Sequence, residues 1–98
     1  MSTQAQRLRK ARHRRRKAAL IMHDIRTHNK SLRDVLGRPG TYMGHVSIYD
    51  VMCATPSLGP AAVKKILKQA DVWPEDKLHT LDQETRERVI MLLPERIK

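Results

Sequence analysis

The sequence predicts an all-α protein: a small helical bundle preceded by a long basic helix. Residues 4–28 contain no glycine or proline and consist mostly of good helix formers. Further along, apolar residues recur at helical spacing, and no segment of any length alternates as a strand would. Capping and helix-stopping residues separate these segments. With 98 residues, the chain is long enough for one small domain and an arm.

Positive charge is concentrated at the N-terminus. The net charge is +10, and residues 1–30 contribute +9 of it, because ten basic side chains there face the single acid Asp24. Residues 31–98 contribute only +1. Such an arm is typical of a protein that meets a polyanion, although a solubility tail and a transit peptide are alternatives. We therefore divide the chain into a basic helix or arm, 1–30, and a domain, 31–98.

The arm is expected to be one helix with two unlike halves. Residues 7–17 are basic except for Leu8 and Ala11, so this half has nothing to pack against. Because like charges four residues apart repel, we expect it to be partly disordered when free and helical once phosphates neutralise it. The second half carries an apolar stripe that can dock on a core: Ala18, Ile21, Met22 and Ile25.

Two short helices should follow. Ser31 and Asp34 resemble a capping box, and Gly37 ends that helix, whose inward residues are Leu32, Val35 and Leu36. Residues 38–44 predict an exposed loop. Ser47 caps the next helix, about residues 48–54, with Ile48, Val51 and Met52 inward and Cys53 as a small buried hydrophobe.

The corner, residues 55–60, is the most informative stretch. Pro56 ends the preceding helix, and Pro60 suits the first position of the next one, with Gly59 as its N-cap. The small residues Gly59, Ala61 and Ala62 would let a nucleic-acid phosphate approach the free N–H groups.

The helix that the corner opens, to about Asp71, should have one apolar and one basic face. Its apolar residues are Val63, Ile66, Leu67 and Ala70, and its lysines are Lys64, Lys65 and Lys68. An ordinary helical hairpin with a solvated lysine face is the alternative interpretation.

The last third predicts a turn region and a final helix. Within residues 72–79, Trp73 precedes a proline, and we expect it to cover the hydrophobic core. Asp82 is the predicted N-cap, Pro94 the stop, and the buried face consists of Val89, Ile90 and Leu93.

Enzyme chemistry is not indicated. The five histidines lack metal-ligand spacing, and neither a phosphate-cradling glycine loop nor a nucleophile beside a base is present. We therefore expect no catalysis, no metal and no cofactor.

No apolar run is long enough for a membrane, so we expect a cytoplasmic protein. Since no aromatic residue lies in the arm, stacking on single strands is not supported, and duplex binding through phosphates remains.

The order of these elements resembles the actinobacterial integration host factor family, from about residue 9 to residue 93. The likeness rests on segment 46–52, on the corner Thr55-Pro56-Ser57-Leu58-Gly59-Pro60, on helix 63–72 and on the helix after Leu81-Asp82. The resemblance implies a helix-two-turn-helix fold related to a small-subunit ribosomal protein. It also implies a nucleoid-associated protein of actinobacteria or their phages that binds duplex DNA with low sequence specificity, bends or compacts it, and assists recombination.

The chain departs from the family pattern at several positions. Ser57 and Pro60 stand where the family usually has lysine, and Asp76-Lys77-Leu78-His79 replaces an Arg-Arg-Leu-Arg run. We therefore expect the arm to carry more of the affinity. The predicted DNA-binding residues are Arg7, Arg9, Lys10, Arg12, Arg14, Arg15, Arg16 and Lys17 of the arm, Ser57, Leu58, Gly59 and Ala61 of the corner, and Lys64, Lys65, Lys68 and Lys77 beyond it.

Two other functions stay open. The protein could bind RNA or the ribosome, since an arginine-rich helix can enter a widened RNA groove. Alternatively, the arm could target an acidic protein as part of a regulator. For the leading interpretation the partner is double-stranded DNA, with a recombinase or regulator in a larger nucleoprotein complex, and the protein itself is expected to be a monomer.

Overall fold

The structure is a computed structural model that describes the backbone from residue 4 and the side chains from residue 12, in both cases to residue 98. Its helices are α1 (Gln4–Arg26), α2 (Leu32–Gly37), α3 (Gly40–Met43), α4 (Ile48–Cys53), α5 (Pro60–Gln69) and α6 (Gln83–Leu92), with a 3-10 turn at Leu78–Thr80. Over residues 4–98 the only β-type pairing is one isolated bridge between Ser47 and Lys77. The predicted all-α fold class is confirmed.

Side-chain caps begin three of the helices as the sequence predicts. The Ser31 hydroxyl accepts a hydrogen bond from the Asp34 amide at 3.3 Å, and the Ser47 hydroxyl accepts one from the Asp50 amide at 3.1 Å. The Asp82 carboxylate accepts one from the amide of Thr85 at 2.8 Å. Each cap satisfies an N–H group that has no partner within the helix, which explains why these helices begin where they do.

One hydrophobic core joins the elements, with α2 and α5 packed on α6, α4 on α5, and α1 on α3. Fully buried side chains come from every part of the domain: Leu36, Met43, Ile48, Val51, Met52, Val63, Leu67 and Val89. The predicted stripe of α1 does dock, with Ile25 buried and Ala18, Ile21 and Met22 partly buried against the core. The predicted inward faces of α2, α4 and α5 are likewise confirmed.

The segment predicted as an exposed loop is wrong in part. Residues 40–43 form the single helical turn α3, Met43 is completely buried, and Gly44 is buried as well. The glycine and proline residues of this segment are the reason that an exposed loop was predicted. Gly40, at φ +73°, supplies the left-handed turn that lets the chain re-enter the core.

The arm also has a neighbour that the sequence did not reveal. We expected residues 7–17 to have nothing to pack against, yet α3 packs on α1, and the rings of His13 and Tyr42 meet edge to face at 5.8 Å. Whether the half before residue 12 is disordered in the free protein stays a prediction, since its side chains lie outside the described residues.

Two helices end earlier than predicted. α1 stops at Arg26, and His28 takes a left-handed conformation at φ 64°, while the amides of Asn29 and Lys30 donate back to the carbonyl oxygen of Asp24. α5 stops at Gln69, and Asp71 is left-handed at φ 60°. Both ends use the αL termination that satisfies the last carbonyl groups, although neither left-handed residue is glycine.

Trp73 does not cover the core, and that expectation is wrong. Its side chain is 71% exposed, whereas the neighbouring residues Ala70, Val72 and Leu78 are buried in the core. Cys53 is only half-buried rather than fully buried.

Three arginines of the domain hold helix ends rather than facing a ligand. The Arg33 guanidinium donates to the carbonyl oxygens of Ile90, Leu93, Pro94 and Ile97, at 2.6 to 3.4 Å, where α6 ends. Arg86 donates to the carbonyl oxygens of Leu36 and Gly37 at the end of α2, and Arg88 to that of Ala70 after α5. The sequence analysis assigned these three arginines no role, because their carbonyl partners are far away along the chain.

Candidate nucleic-acid interface

The corner places the start of α5 at the surface. Gly59 has the extended N-cap conformation, φ −75° and ψ 161°, Pro60 begins the helix, and both are exposed. A Cβ added at Gly59 would meet no protein atom within 4 Å, so open space lies beside this backbone. The helix start thus has room for an anion, and phosphate binding there stays a prediction.

The predicted corner residues divide into two groups. Ser57, Gly59 and Ala61 are exposed and available to a ligand, whereas Leu58 is only 3% exposed and belongs to the core. The Leu58 amide donates to the carbonyl oxygen of Thr55 at 3.1 Å. Leu58 therefore holds the corner in place from below, and its side chain is not free for a direct contact.

The opposite face of α5 is a ridge of lysines. Lys64, Lys65 and Lys68 are all exposed, while Val63, Ile66 and Leu67 fill the core behind them. This separation gives the helix one cationic side that begins at the corner and runs to its C-terminal end. Lys77 is also exposed, in the segment that pairs with Ser47.

Trp73 lies beside this ridge and was not recognised as a surface residue from the sequence. It lines a shallow groove of about 400 Å³ together with Lys64, Lys68, Leu67 and Pro74. The exposed indole is therefore next to two of the predicted DNA-binding lysines. The spacing of apolar residues in the sequence does not show whether a tryptophan covers the core or lies exposed at the end of a basic ridge.

The arm presents its charges to solvent over the part whose side chains are described. Arg12, Arg14, Arg15, Arg16 and Lys17 are all exposed. Arg14 and Arg15 line a hollow formed with Tyr42, His45 and Val46, so they lie on the side of α1 that faces α3. Arg7, Arg9 and Lys10 lie outside the described side chains.

Within residues whose side chains are described, no three histidine, cysteine, aspartate or glutamate residues come together as a group able to hold a metal ion. No described helix is long and apolar enough to span a bilayer. The rings of His45 and His79 lie 5.2 Å apart, tilted by 56°, and Nδ1 of His79 hydrogen-bonds with the Gly44 carbonyl oxygen, which ties α3 to the segment before α6.

Comparisons with known proteins point to one solved structure. The sequence matches no protein-family model and no curated protein. The fold is similar to that of sIHF in a structure of that protein bound to an 8-base-pair palindromic DNA, with a TM-score of 0.72. The likeness covers 85% of this chain and 96% of that chain, at 18% sequence identity. The chain thus has an integration host factor-like fold of the sIHF type.

Proposed function

We propose that this protein binds duplex DNA, mainly through backbone phosphates and with low sequence specificity, as an architectural protein of the nucleoid. The observation that carries the proposal is the uncharged, open corner continued by the exposed lysines of α5, in a fold shared with a protein solved on DNA. Exposed arginines along α1 add a second cationic surface. Phosphate contacts of this kind supply affinity and position the protein without reading sequence.

More specific proposals, about affinity and biological role, concern the same two cationic surfaces. We infer that the arm contributes most of the affinity, because the corner itself carries no charged side chain between Thr55 and Ala62. Bending or compaction of DNA, assistance to a recombination complex, and an origin in actinobacteria or their phages follow from the family resemblance. A protein that contacts a duplex through two cationic surfaces at once is suited to such an architectural role.

The test is a titration with random-sequence duplex DNA across a salt series. Trp73 is the only tryptophan and lies beside Lys64 and Lys68, so its fluorescence should change when DNA covers the ridge. If about six to ten phosphates are contacted, log K should fall with log salt concentration with a slope of roughly −5 to −9.

Matched variants locate the surface. Lys64→Gln/Lys68→Gln should weaken binding and flatten the slope, whereas Arg38→Glu changes the net charge by the same two units at one exposed position outside the arm and the ridge and should change little. A slope near zero, or displacement of the duplex by equimolar structured RNA, would contradict the proposal.

A further inference from the structure

Another cleft lies next to the corner and shares no lining residue with the groove beside the lysine ridge. It has a volume of about 370 Å³ and is enclosed by the end of α1, the start of α2, the corner and the C-terminal segment. Its polar lining consists of His28, Lys30, Ser31, Thr55, Ser57, Arg96 and Lys98, and Ile25, Leu32 and Ile97 complete it.

The chemistry of this lining is that of an anion site. Lys30 and Arg96 supply positive charge, His28 adds an imidazole, and no aspartate or glutamate side chain lines the cleft. Ser31, Thr55 and Ser57 add hydroxyl groups to the lining. Such a combination of charged donors and hydroxyls suits a tetrahedral oxyanion, which accepts several hydrogen bonds at once.

Thr55 provides independent support for a ligand. Thr55 is only 8% exposed, and its hydroxyl oxygen is buried without any hydrogen-bond partner in the described structure. Buried polar groups nearly always have a partner, so an orphaned hydroxyl at a cationic cleft calls for an explanation. A bound oxyanion would supply the missing partner once rotation of the Thr55 side chain turns its hydroxyl toward the cleft that this residue lines.

The cationic wall is held in place by the fold. Ile97 is 2% exposed, and its carbonyl oxygen accepts a hydrogen bond from Nε of Arg33 at 2.6 Å. The Arg33 amide donates to the main-chain oxygen of Lys98 at 3.3 Å, which engages that oxygen with α2. Arg96 stands between these anchors and reaches the corner, with Nη2 lying 3.5 Å from the carbonyl oxygen of Ser57.

We propose that this cleft binds a phosphate group and that, in the complex with DNA, the group is a backbone phosphate of the duplex. The DNA assignment rests on the proposed function. Ser57 is exposed at the rim of the cleft and belongs to the uncharged corner, so a duplex seated on the corner can place a phosphate there. Lys30 and Arg96 then supply the charge that the corner lacks.

The closing experiment compares two variants of the full chain that lose the same charge. Lys30→Gln/Arg96→Gln removes two exposed cations from the cleft, and Arg38→Glu changes the net charge by the same two units at one exposed position outside the cleft and the arm. We expect the cleft variant to bind duplex DNA about tenfold or more weakly, with a salt slope shallower by about one to two, and the control to stay within about twofold. Melting curves establish that both variants are folded.

Thr55→Val separates a binding role from a structural one. Replacing the orphaned hydroxyl with a methyl group of similar shape should leave thermal stability unchanged or higher. It should nevertheless weaken phosphate binding while leaving the salt slope unchanged, since no charge is lost. A Thr55 hydroxyl with only a structural role would lower stability when removed and would leave binding as it is, contrary to the proposal.

Inorganic phosphate alone distinguishes the two possible sources of the group. Millimolar phosphate should shift the amide resonances of Ser57 and Arg96 in the wild type and not in the cleft variant.

If these shifts occur but the wild type binds no duplex, the DNA function fails while the phosphate cleft stands. If the wild type binds duplex and the cleft variant binds it equally well with the same slope, the assignment to a DNA phosphate is overturned. If phosphate shifts no cleft amide and both variants behave alike, the cleft is not a phosphate site.

Discussion

At the scale of single residues, arginine side chains have two different roles in this chain. Arg12 and Arg16 are exposed on α1, whereas Arg33 is partly buried and donates to four carbonyl oxygens at the end of α6. The guanidinium group suits both tasks, because its fixed fork of N–H donors fits phosphate oxygens as well as a cluster of carbonyl groups. Position in the fold, not residue type, decides which arginines remain for a ligand.

Arg33→Gln should therefore destabilise the protein. The shorter amide cannot reach the same carbonyl groups, so several partly buried oxygens lose their donor, and the free energy of unfolding should fall by about 2–3 kcal/mol. Chemical denaturation measures this loss. Arg38→Gln, at an exposed position, should change it by less than about 0.5 kcal/mol, and equal effects of the two variants would contradict this role of Arg33.

Asp82 gives a pH dependence of known sign. Its hydrogen bonds from Thr85 hold the pKa of the carboxyl group below its ordinary value of 3.8. The folded state thus favours the ionised form, and this contribution is present above pH about 4 and lost as the pH falls through the lower folded value. Asp82→Asn keeps a capping acceptor without the charge.

The melting temperature of wild type should accordingly exceed that of Asp82→Asn near neutral pH, and the difference should shrink as the pH falls below about 4. Melting curves recorded from pH 7 down to pH 2 measure it. A difference that grows on acidification would show that the charge of Asp82 does not stabilise the cap.

At the scale of elements, α3 joins the arm to the domain. Its single turn buries Met43, brings Tyr42 against His13, and is tied through Gly44 to His79. A Cβ at Gly44 would lie 3.1 Å from Cβ of His79, so this approach requires a small residue. α1 is thereby held at two places, the apolar stripe of its second half and the ring of His13 in its first half.

A pair of methionines tests the importance of this turn. Met43→Ala removes a fully buried side chain and should lower the free energy of unfolding by about 2–5 kcal/mol through lost burial and a residual cavity. Met91→Ala is the matched control, because Met91 is 84% exposed on α6 and should be nearly neutral. Equal losses, measured by denaturant titration, would mean that α3 is not part of the cooperative core.

At the scale of the whole molecule, charge and core are separated. The core takes its apolar side chains from α1 through α6 and the C-terminal segment, while the arm and the α5 ridge project cations from it. Because the apolar stripe of α1 begins at Ala18 and residues 12–17 are exposed, those residues contribute charge more than burial. Binding and folding should therefore be separable.

Deletion of residues 1–17 should nearly abolish DNA binding and leave the helical domain folded. The deletion removes eight predicted binding residues but keeps Ile21, Met22 and Ile25, which pack on the core. Far-UV circular dichroism and gel shifts on random duplex measure the two properties. A truncated protein that still binds DNA tightly would show that the corner and ridge suffice.

Much of the fold was predictable because it depends on local signals. Capping residues, apolar spacing and the proline-glycine corner located five of the helices. Of the predicted binding residues in the corner and the ridge, all but Leu58 are exposed. The exposure of Trp73 and the helix within residues 40–43 were not predictable. Both depend on how completely the core is filled by segments that are distant in the sequence, and local sequence patterns contain no information about that packing.

The amino-acid sequence alone determined that this protein is helical, where its helices begin and where its charge is concentrated, since each of these depends on neighbours along the chain. Only the tertiary structure decided which arginines stay free, that Trp73 faces solvent, and that residues 28–31, 55–57 and 96–98 enclose one cationic cleft. Those features arise between segments far apart in sequence, whose approach is set by the packing of the shared core.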